Sequence, residues 1–342
     1  MNNNHLLWVD NAKGIGIVLV VYGHCLRGLS SSTIQLNPSF FSASDLFVYS
    51  FHMPLFFILS GLFFEKSLSK RGSLGLIVEK FKTLVYPFII WSLFQTSAEV
   101  LLSKYTNHAI TSKELFICLF YPRAHMWFLY ALFIINIICI FLDSLLHKNW
   151  VWFYVILCLI LMNLNINYGP FKKTVMHAVF FGIGIIFARH IDTIKMFKKA
   201  TYLNLAIITV LFIVSEYLYL NSLLMSKLLL KILLPQLLGS LLIIELSMFL
   251  TKKNILGLLG NYSFEIYLAH LIITSGSRII LLKIFNVSNP VIHIIADVTA
   301  GLFLPVVIAN IARKNQWLSW IFEYPFRKPK TKLKSNTSLS SI

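Results

Sequence analysis

Residues 126–146 read MWFLYALFIINIICIFLDSLL, an apolar run in which Asp143 is the one charged side chain. A helix rises about 1.5 Å per residue and the hydrocarbon core of a bilayer is about 30 Å thick, so a run of about 20 residues crosses it. Further apolar runs occur at 13–30, 46–64, 83–102, 150–166, 174–188, 202–220, 228–250, 256–282 and 291–312. The pattern predicts an all-α fold, a polytopic membrane helix bundle with about ten transmembrane helices.

The composition agrees with this fold class. Of the 342 residues, 57% are hydrophobic and 13% are charged, whereas about 25% of the residues in a soluble domain are charged. The mean hydropathy of +0.76 indicates that apolar side chains face lipid. The net charge of +17 does not indicate nucleic acid as a partner, because Lys and Arg occur in alternate loops rather than in one basic stripe.

The distribution of basic residues predicts the orientation. If the N-terminus is cytoplasmic, 20 of the 30 lysine and arginine residues lie on the cytoplasmic side, 8 on the outer side and 2 within spans. Cytoplasmic loops carry the excess of basic residues, so both termini are expected in the cytoplasm. We expect one membrane domain over residues 1–326 and a basic, disordered cytoplasmic tail over 327–342 that can lie on anionic membrane lipid.

The first apolar run carries ionisable residues. Lys13 and His24 are eleven residues apart, and at about 100° per residue this is within about 20° of three full turns. Both therefore lie on one helix face, about 16 Å apart, and Asp10 extends this face if the helix begins early. A neutral imidazole deep in the membrane can accept a proton from a hydroxyl. The alternative for His24 is a buried histidine that is bonded to a neighbouring helix.

The second apolar run has two unusual positions. His52 lies beside Pro54, and a proline removes one backbone hydrogen bond from a helix. Ser60 follows near the cytoplasmic end. A GxSxG nucleophile motif is absent, so Ser60 is expected to pack or to bond backbone rather than to attack a substrate.

Polar residues also mark two later runs. Ser263, Tyr267 and His270 follow a spacing of four and three residues, which places them on one helix face. Trp127 is the second residue of the 126–146 run, and an interfacial anchor is the alternative to a role in a site. No pair of histidines has the helical spacing of metal ligands with carboxylates nearby, so no metal is expected.

Together these motifs resemble the acyltransferase-3 family of bacterial membrane O-acyltransferases, and within it the fucose 4-O-acetylase-like proteins. The resemblance extends from Trp8 to about Pro325. It is carried by four segments in order, at residues 10–24, 51–61, 125–129 and 263–270. The family's pattern of a basic residue, ten residues and a histidine matches Lys13 and His24, although many members have Arg where this chain has Lys13.

The resemblance implies an activity and a location. It implies transfer of an acyl group, usually acetyl, from cytoplasmic acyl-CoA to a hydroxyl of a cell-envelope glycan such as O-antigen, exopolysaccharide or its lipid-linked precursor. The protein would be a multi-pass protein of the bacterial cytoplasmic (inner) membrane. Acetyl-CoA would be its donor substrate, with no permanently bound cofactor.

The same resemblance suggests roles for single residues. His24 is the expected catalytic residue, as general base or as carrier of the acyl group. Residues expected to bind the donor are Lys13, Asp10, Lys80 and Lys82. Residues expected to orient the acceptor or to support the site are His52, Ser60, Trp127, Tyr267 and His270.

Two other functions fit the topology. A transporter or flippase of lipid-linked sugar could use the same polar positions as a permeation path. A purely structural membrane protein is the third interpretation, and it gives no reason for His24, His52 and His270. Dependence on acyl-CoA discriminates between the enzyme and the transporter.

Overall fold

The computed structural model describes residues 4–101, 111–146, 149–164, 169–190, 201–220 and 229–325. The predicted tail, 327–342, lies outside them. The helices are, in chain order, α1 (Asn4–Ser30), α2 (Pro38–Gly61), α3 (Phe64–Lys80), α4 (Tyr86–Leu101), α5 (Glu114–Phe120), α6 (Trp127–Leu146), α7 (Trp150–Asn163), α8 (Gly169–Arg189), α9 (Thr201–Leu220), α10 (Leu229–Phe249), α11 (Ile255–Asn261), α12 (Ser263–Lys283), α13 (Pro290–Lys314) and α14 (Gln316–Ser319). A π-helical turn, Phe81–Val85, joins α3 to α4.

The polytopic helical class is confirmed. Among the described residues, 8 helical segments are long and apolar enough to cross a membrane. Two shorter apolar helices, Trp150–Asn163 and Leu233–Phe249, coincide with two further predicted runs. The structure contains no strand over the described ranges.

Two predicted boundaries were wrong. The run 256–282 is divided at Tyr262 into α11 and α12, and the side chain of Asn254 caps α11 by accepting a hydrogen bond from the backbone N–H of Gly257 at 2.9 Å. The predicted run 83–102 begins too late, because the helical segment starts at Phe64 and continues through the π-helical turn to Leu101. Its first part, α3, buries Phe64 and Leu76, while most of its basic side chains lie at the surface and Lys80 is partly buried.

Helix α1 is the centre of the bundle. It packs against α2, α10, α11, α12 and α13. A Cβ atom added to Gly14 would overlap the carbonyl oxygen of Leu256, and one added to Gly260 would overlap the carbonyl oxygen of Asp10. The backbones of α1 and α11 are therefore in direct contact, as small residues allow between membrane helices. The side chain of Asn11 adds a hydrogen bond of 2.8 Å to the Leu250 carbonyl.

Lys13 lies in the N-terminal half of α1 and Arg27 in its last turn, so the two residues mark opposite ends of the bundle. We refer to these as the Lys13 end and the Arg27 end. The orientation predicted from the basic residues places the Lys13 end in the cytoplasm.

We expect Gly14→Ala to lower the free energy of unfolding by about 1–3 kcal/mol, because the added methyl group overlaps backbone that cannot move without displacing α11. Thermal unfolding in detergent measures the effect. Gly276→Ala is the matched control, since a Cβ atom at Gly276 meets nothing within 4 Å. Alanine there is expected to be neutral or to stabilise the helix by up to about 1 kcal/mol. Unfolding of Gly14→Ala at the wild-type temperature would contradict the direct backbone contact.

Candidate active site

Three histidine rings from distant parts of the chain meet inside the bundle. The ring centroids of His24 and His270 are 5.2 Å apart, those of His24 and His125 are 5.9 Å apart, and those of His125 and His270 are 4.8 Å apart. His24 lies on α1 and His270 on α12, while His125 lies two residues before α6. We call these three residues the histidine cluster.

The members of the histidine cluster differ in exposure. His125 is 3% exposed and His270 is fully buried, whereas His24 is partly exposed. A bound molecule can therefore reach His24 without displacing the other two rings. Within the cluster, His24 is therefore the most accessible ring.

The hydrogen bonds of His270 fix its tautomer. Its Nδ1 lies 3.0 Å from the carbonyl oxygen of Ile266 and 2.8 Å from that of Tyr267. A carbonyl oxygen only accepts, so Nδ1 carries the hydrogen of the neutral ring and Nε2 carries a lone pair. This Nε2 is buried and has no hydrogen-bond partner among the described residues. The ring therefore presents an acceptor inside the cluster.

Tyr267 connects α12 to the segment that carries His125. Its hydroxyl donates a hydrogen bond to the backbone carbonyl of His125, and the two ring centroids are 4.8 Å apart. This bond holds the chain just before α6 against α12. The position of the His125 ring therefore depends on Tyr267.

Tyr49 joins the cluster to the Arg27 end. Its ring centroid lies 6.1 Å from that of His24 and 4.8 Å from that of His52. The Arg27 guanidinium carbon lies 3.2 Å from the centre of the Tyr49 ring, and Arg27 also donates two hydrogen bonds, of 2.6 and 2.9 Å, to the Asp45 carboxylate. His52 is buried, with Nδ1 2.6 Å from the Val48 carbonyl oxygen. The structure thus places Tyr49 between His52 and His24.

A cavity of about 220 Å³ opens towards the Lys13 end. Most of its lining is apolar, including Val20, Phe56 and Phe128. The polar residues of the lining are Lys13, Ser60, Ser263 and Tyr267. We call this space the inner cavity. It brings together Lys13, Ser60 and Tyr267, which the sequence indicated separately.

The predicted donor-binding residues lie around one end of the inner cavity. Lys13 Nζ is 3.8 Å from Asp10 Oδ1, one turn apart on α1. Lys80 and Lys82 flank the start of the π-helical turn, in which Leu84 lines the inner cavity. Lys82 Nζ lies 5.4 Å from the Tyr324 ring centroid. The cations therefore belong to the Lys13 end, away from the histidine cluster.

Trp127 makes its ring contacts elsewhere. Its ring centroid lies 5.0 Å from that of His177 and 6.3 Å from that of Phe57, and Lys173 Nζ lies 5.3 Å from the ring. These partners come from α2 and α8 rather than from the histidine cluster. A role for Trp127 in the site stays a prediction.

Sequence reasoning gave no role to His125, Tyr49, Arg27 or Asp45. His125 opens the quoted segment 125–129, so its histidine was a visible signal. Tyr49, Arg27 and Asp45 lie on helix faces that only the packing of α1 on α2 brings together. Among the described residues, no group of three or more His, Cys, Asp or Glu side chains could hold a metal ion.

Comparison with known proteins identifies the family. The acyltransferase domain model of the acyltransferase-3 family matches residues 6–310. The chain therefore belongs to the acyltransferase-3 family. The resemblance seen in the four sequence segments is confirmed.

Two characterised relatives also match. The chain is 35% identical over 92 residues to nodulation protein NolL of Mesorhizobium japonicum, covering 26% of this chain and 23% of the relative. It is 26% identical over 199 residues to nodulation protein NolL of Sinorhizobium fredii, covering 56% of this chain and 50% of the relative. The chain thus matches at most half the length of these two relatives. No solved structure matches significantly.

Tyr267→Phe is expected to lower the free energy of unfolding by about 1–3 kcal/mol, because it leaves the buried backbone carbonyl of His125 without its hydrogen-bond donor. Tyr262→Phe is the matched control: it removes a hydrogen bond of 2.6 Å to Asn310 that is exposed, so its cost should be smaller. Thermal unfolding of both variants in detergent measures the difference. Equal losses of stability would contradict the anchoring role of Tyr267.

Proposed function

We propose that this chain is an O-acyltransferase that moves an acyl group, acetyl in the simplest case, from cytoplasmic acyl-CoA to a hydroxyl of a cell-envelope glycan or its lipid-linked precursor. It would act in the bacterial cytoplasmic membrane. The observation that carries the proposal is the partly exposed His24 ring. His24 belongs to the histidine cluster, and Tyr267 packs against this cluster through His125. Tyr267 also lines the inner cavity, which is mostly apolar and has Lys13 in its lining. Membership of the family supports the reaction class.

The inner cavity suits a CoA thioester. The phosphates of CoA need cations, and Lys13, Lys80 and Lys82 lie at the Lys13 end. The pantetheine arm is a thin chain with two amides. The apolar lining would enclose this chain, while Ser60 and Ser263 offer hydroxyls for its amides. In this arrangement Ser60 binds the donor and does not attack it.

His24 would act on the acceptor hydroxyl. Its neutral imidazole accepts the hydroxyl proton while the hydroxyl oxygen attacks the thioester carbonyl carbon. The carbon–sulfur bond breaks and the ester forms. The CoA thiolate leaves and receives the proton from the imidazolium, which restores His24. A thiolate is a good leaving group, so no separate strong acid is needed.

His270 would be a positioning residue. Its Nε2 lone pair lies on a ring 5.2 Å from the His24 ring and has no other described partner. It can accept the N–H of His24, which turns the second nitrogen of His24 towards the acceptor. His24 as a transient carrier of the acyl group is the other version of this mechanism. An acetyl-imidazole trapped without acceptor would distinguish it from general-base catalysis.

His24→Gln is expected to lower acetyl transfer by about a hundredfold or more, because the amide cannot accept the proton. Purified protein in detergent would be supplied with labelled acetyl-CoA and envelope glycan. His293→Gln is the matched control. His293 is likewise a helical histidine inside the bundle, and its Nε2 lies 2.8 Å from the Val287 carbonyl oxygen, a hydrogen bond that the glutamine amide can replace.

Mass spectrometry of envelope glycan from cells with and without the gene gives the corresponding test in vivo. We expect loss of one acetyl group per modified unit in cells that lack the gene or carry His24→Gln. Full acetylation with His24→Gln would refute the catalytic role of His24. Sugar transport that persists in His24→Gln and ignores acetyl-CoA would favour the flippase instead.

A further inference from the structure

A second pocket, of about 170 Å³, lies towards the Arg27 end. Its polar and aromatic lining consists of Asp45, Tyr49, Ser50, Tyr219 and Gln236. We call this space the outer pocket. It shares no lining residue with the inner cavity. The two spaces are therefore separate, one on each side of the histidine cluster.

His24 adjoins the outer pocket through Tyr49, whose ring lines the pocket and lies 6.1 Å from the His24 ring. On the opposite side, the His24 ring lies 5.9 Å from His125, which packs 4.8 Å from Tyr267 of the inner cavity. Tyr49 is therefore the lining residue that connects the outer pocket to the imidazole of His24.

The lining of the outer pocket favours a neutral, hydroxyl-rich molecule. The flat faces of sugar rings carry C–H groups that pack on aromatic rings such as Tyr49 and Tyr219. Sugar hydroxyls both donate and accept, and the amide of Gln236 does the same. The Ser50 hydroxyl donates to the Phe47 carbonyl at 3.0 Å and can still accept a hydrogen bond. The side-chain oxygen of Gln236 is buried and has no hydrogen-bond partner in the described part of the chain. It is ready to accept from a hydroxyl.

A phosphate fits this pocket poorly. Arg27, which contacts the lining residues Asp45 and Tyr49, is held by both carboxylate oxygens of Asp45 and lies on the Tyr49 ring. The charges of Arg27 and Asp45 therefore balance each other within the protein, and this pair offers no net positive charge to a phosphate.

The size of the outer pocket limits the size of its ligand. The volume of about 170 Å³ corresponds to the space of about six waters. This is the scale of one sugar ring rather than of an oligosaccharide.

We infer that the outer pocket binds one uncharged pyranose ring of the acceptor, stacked on Tyr49 and Tyr219 and hydrogen-bonded by Gln236, with a hydroxyl directed at His24. This inference rests on the proposed acyltransferase function and adds the acceptor site to it. Arg27 and Asp45 hold Tyr49 in place as a positioning pair. The donor and the acceptor then approach His24 from opposite ends of the bundle.

Gln236→Leu tests the inference, because leucine keeps the approximate size of the side chain and removes its hydrogen bonds. The probes are uncharged methyl pyranosides (of fucose, galactose, glucose and N-acetylglucosamine) and the 6-phosphates of galactose and glucose, each offered with labelled acetyl-CoA. We expect Gln236→Leu to raise the KM for the best methyl pyranoside about tenfold. The KM for acetyl-CoA and its slow hydrolysis without sugar should stay at wild-type values, which also shows that the variant is folded.

Asn163→Leu is the matched control, since Asn163 is an exposed amide that donates to the Leu159 carbonyl of its own helix at 2.9 Å and lines neither space. Its KM values should equal those of the wild type. An unchanged acceptor KM in Gln236→Leu, or a preference of the wild-type protein for the sugar phosphates, would overturn the inference while leaving acyl transfer intact. Wild-type protein that leaves acetyl-CoA untouched would instead refute the proposed function itself.

Discussion

Lipid cannot form hydrogen bonds, and this constraint organises the whole molecule. Each backbone group must be paired within a helix, and each polar side chain must turn inward or reach an end of the bundle. Helix α1 carries polar side chains, so it has to be surrounded by other helices. It packs directly against the backbone of α11 at Gly14 and Gly260. The contact places α1 at the centre, where His24 meets rings from two other parts of the chain. Burial of the site is therefore a consequence of how α1 packs.

Much of the fold could be predicted because a membrane span is a local property. The number and order of apolar runs follow from the sequence, and so does the shared face of Lys13 and His24, which depends only on helical spacing. The division at Tyr262 could not be predicted from hydropathy, since residues on both sides are apolar. The short helix that results, α11, is capped by Asn254 at its start and packs closely against α1 through Gly260, and this packing is a tertiary effect.

The candidate site could be predicted only in part, because tertiary packing brings its residues together. Periodicity places Tyr267 and His270 on one face of α12, yet it does not reveal that the Tyr267 hydroxyl bonds the chain at His125. His52 attracted notice because it adjoins Pro54, and the structure puts Tyr49 between it and His24. His125 lies just before a helix, so helical periodicity does not determine where its side chain points. Its neighbours depend on how the chain packs against α1 and α12.

The separation of the two spaces has a chemical consequence. A thioester reacts with water as well as with a sugar hydroxyl. A water-filled channel between the two spaces would therefore let the proposed acyl-CoA donor hydrolyse. Between the inner cavity and the outer pocket stand the rings of Tyr49, His24, His125, His270 and Tyr267, and two of these histidines are almost completely buried. In the proposed reaction, this layer of rings would keep bulk water from the thioester and strengthen the electrostatic interactions around the reacting atoms. His24, the partly exposed ring of the histidine cluster, would then be the point where both substrates meet. The proposed function therefore makes the histidine cluster a barrier and a reaction centre in one layer of the bundle.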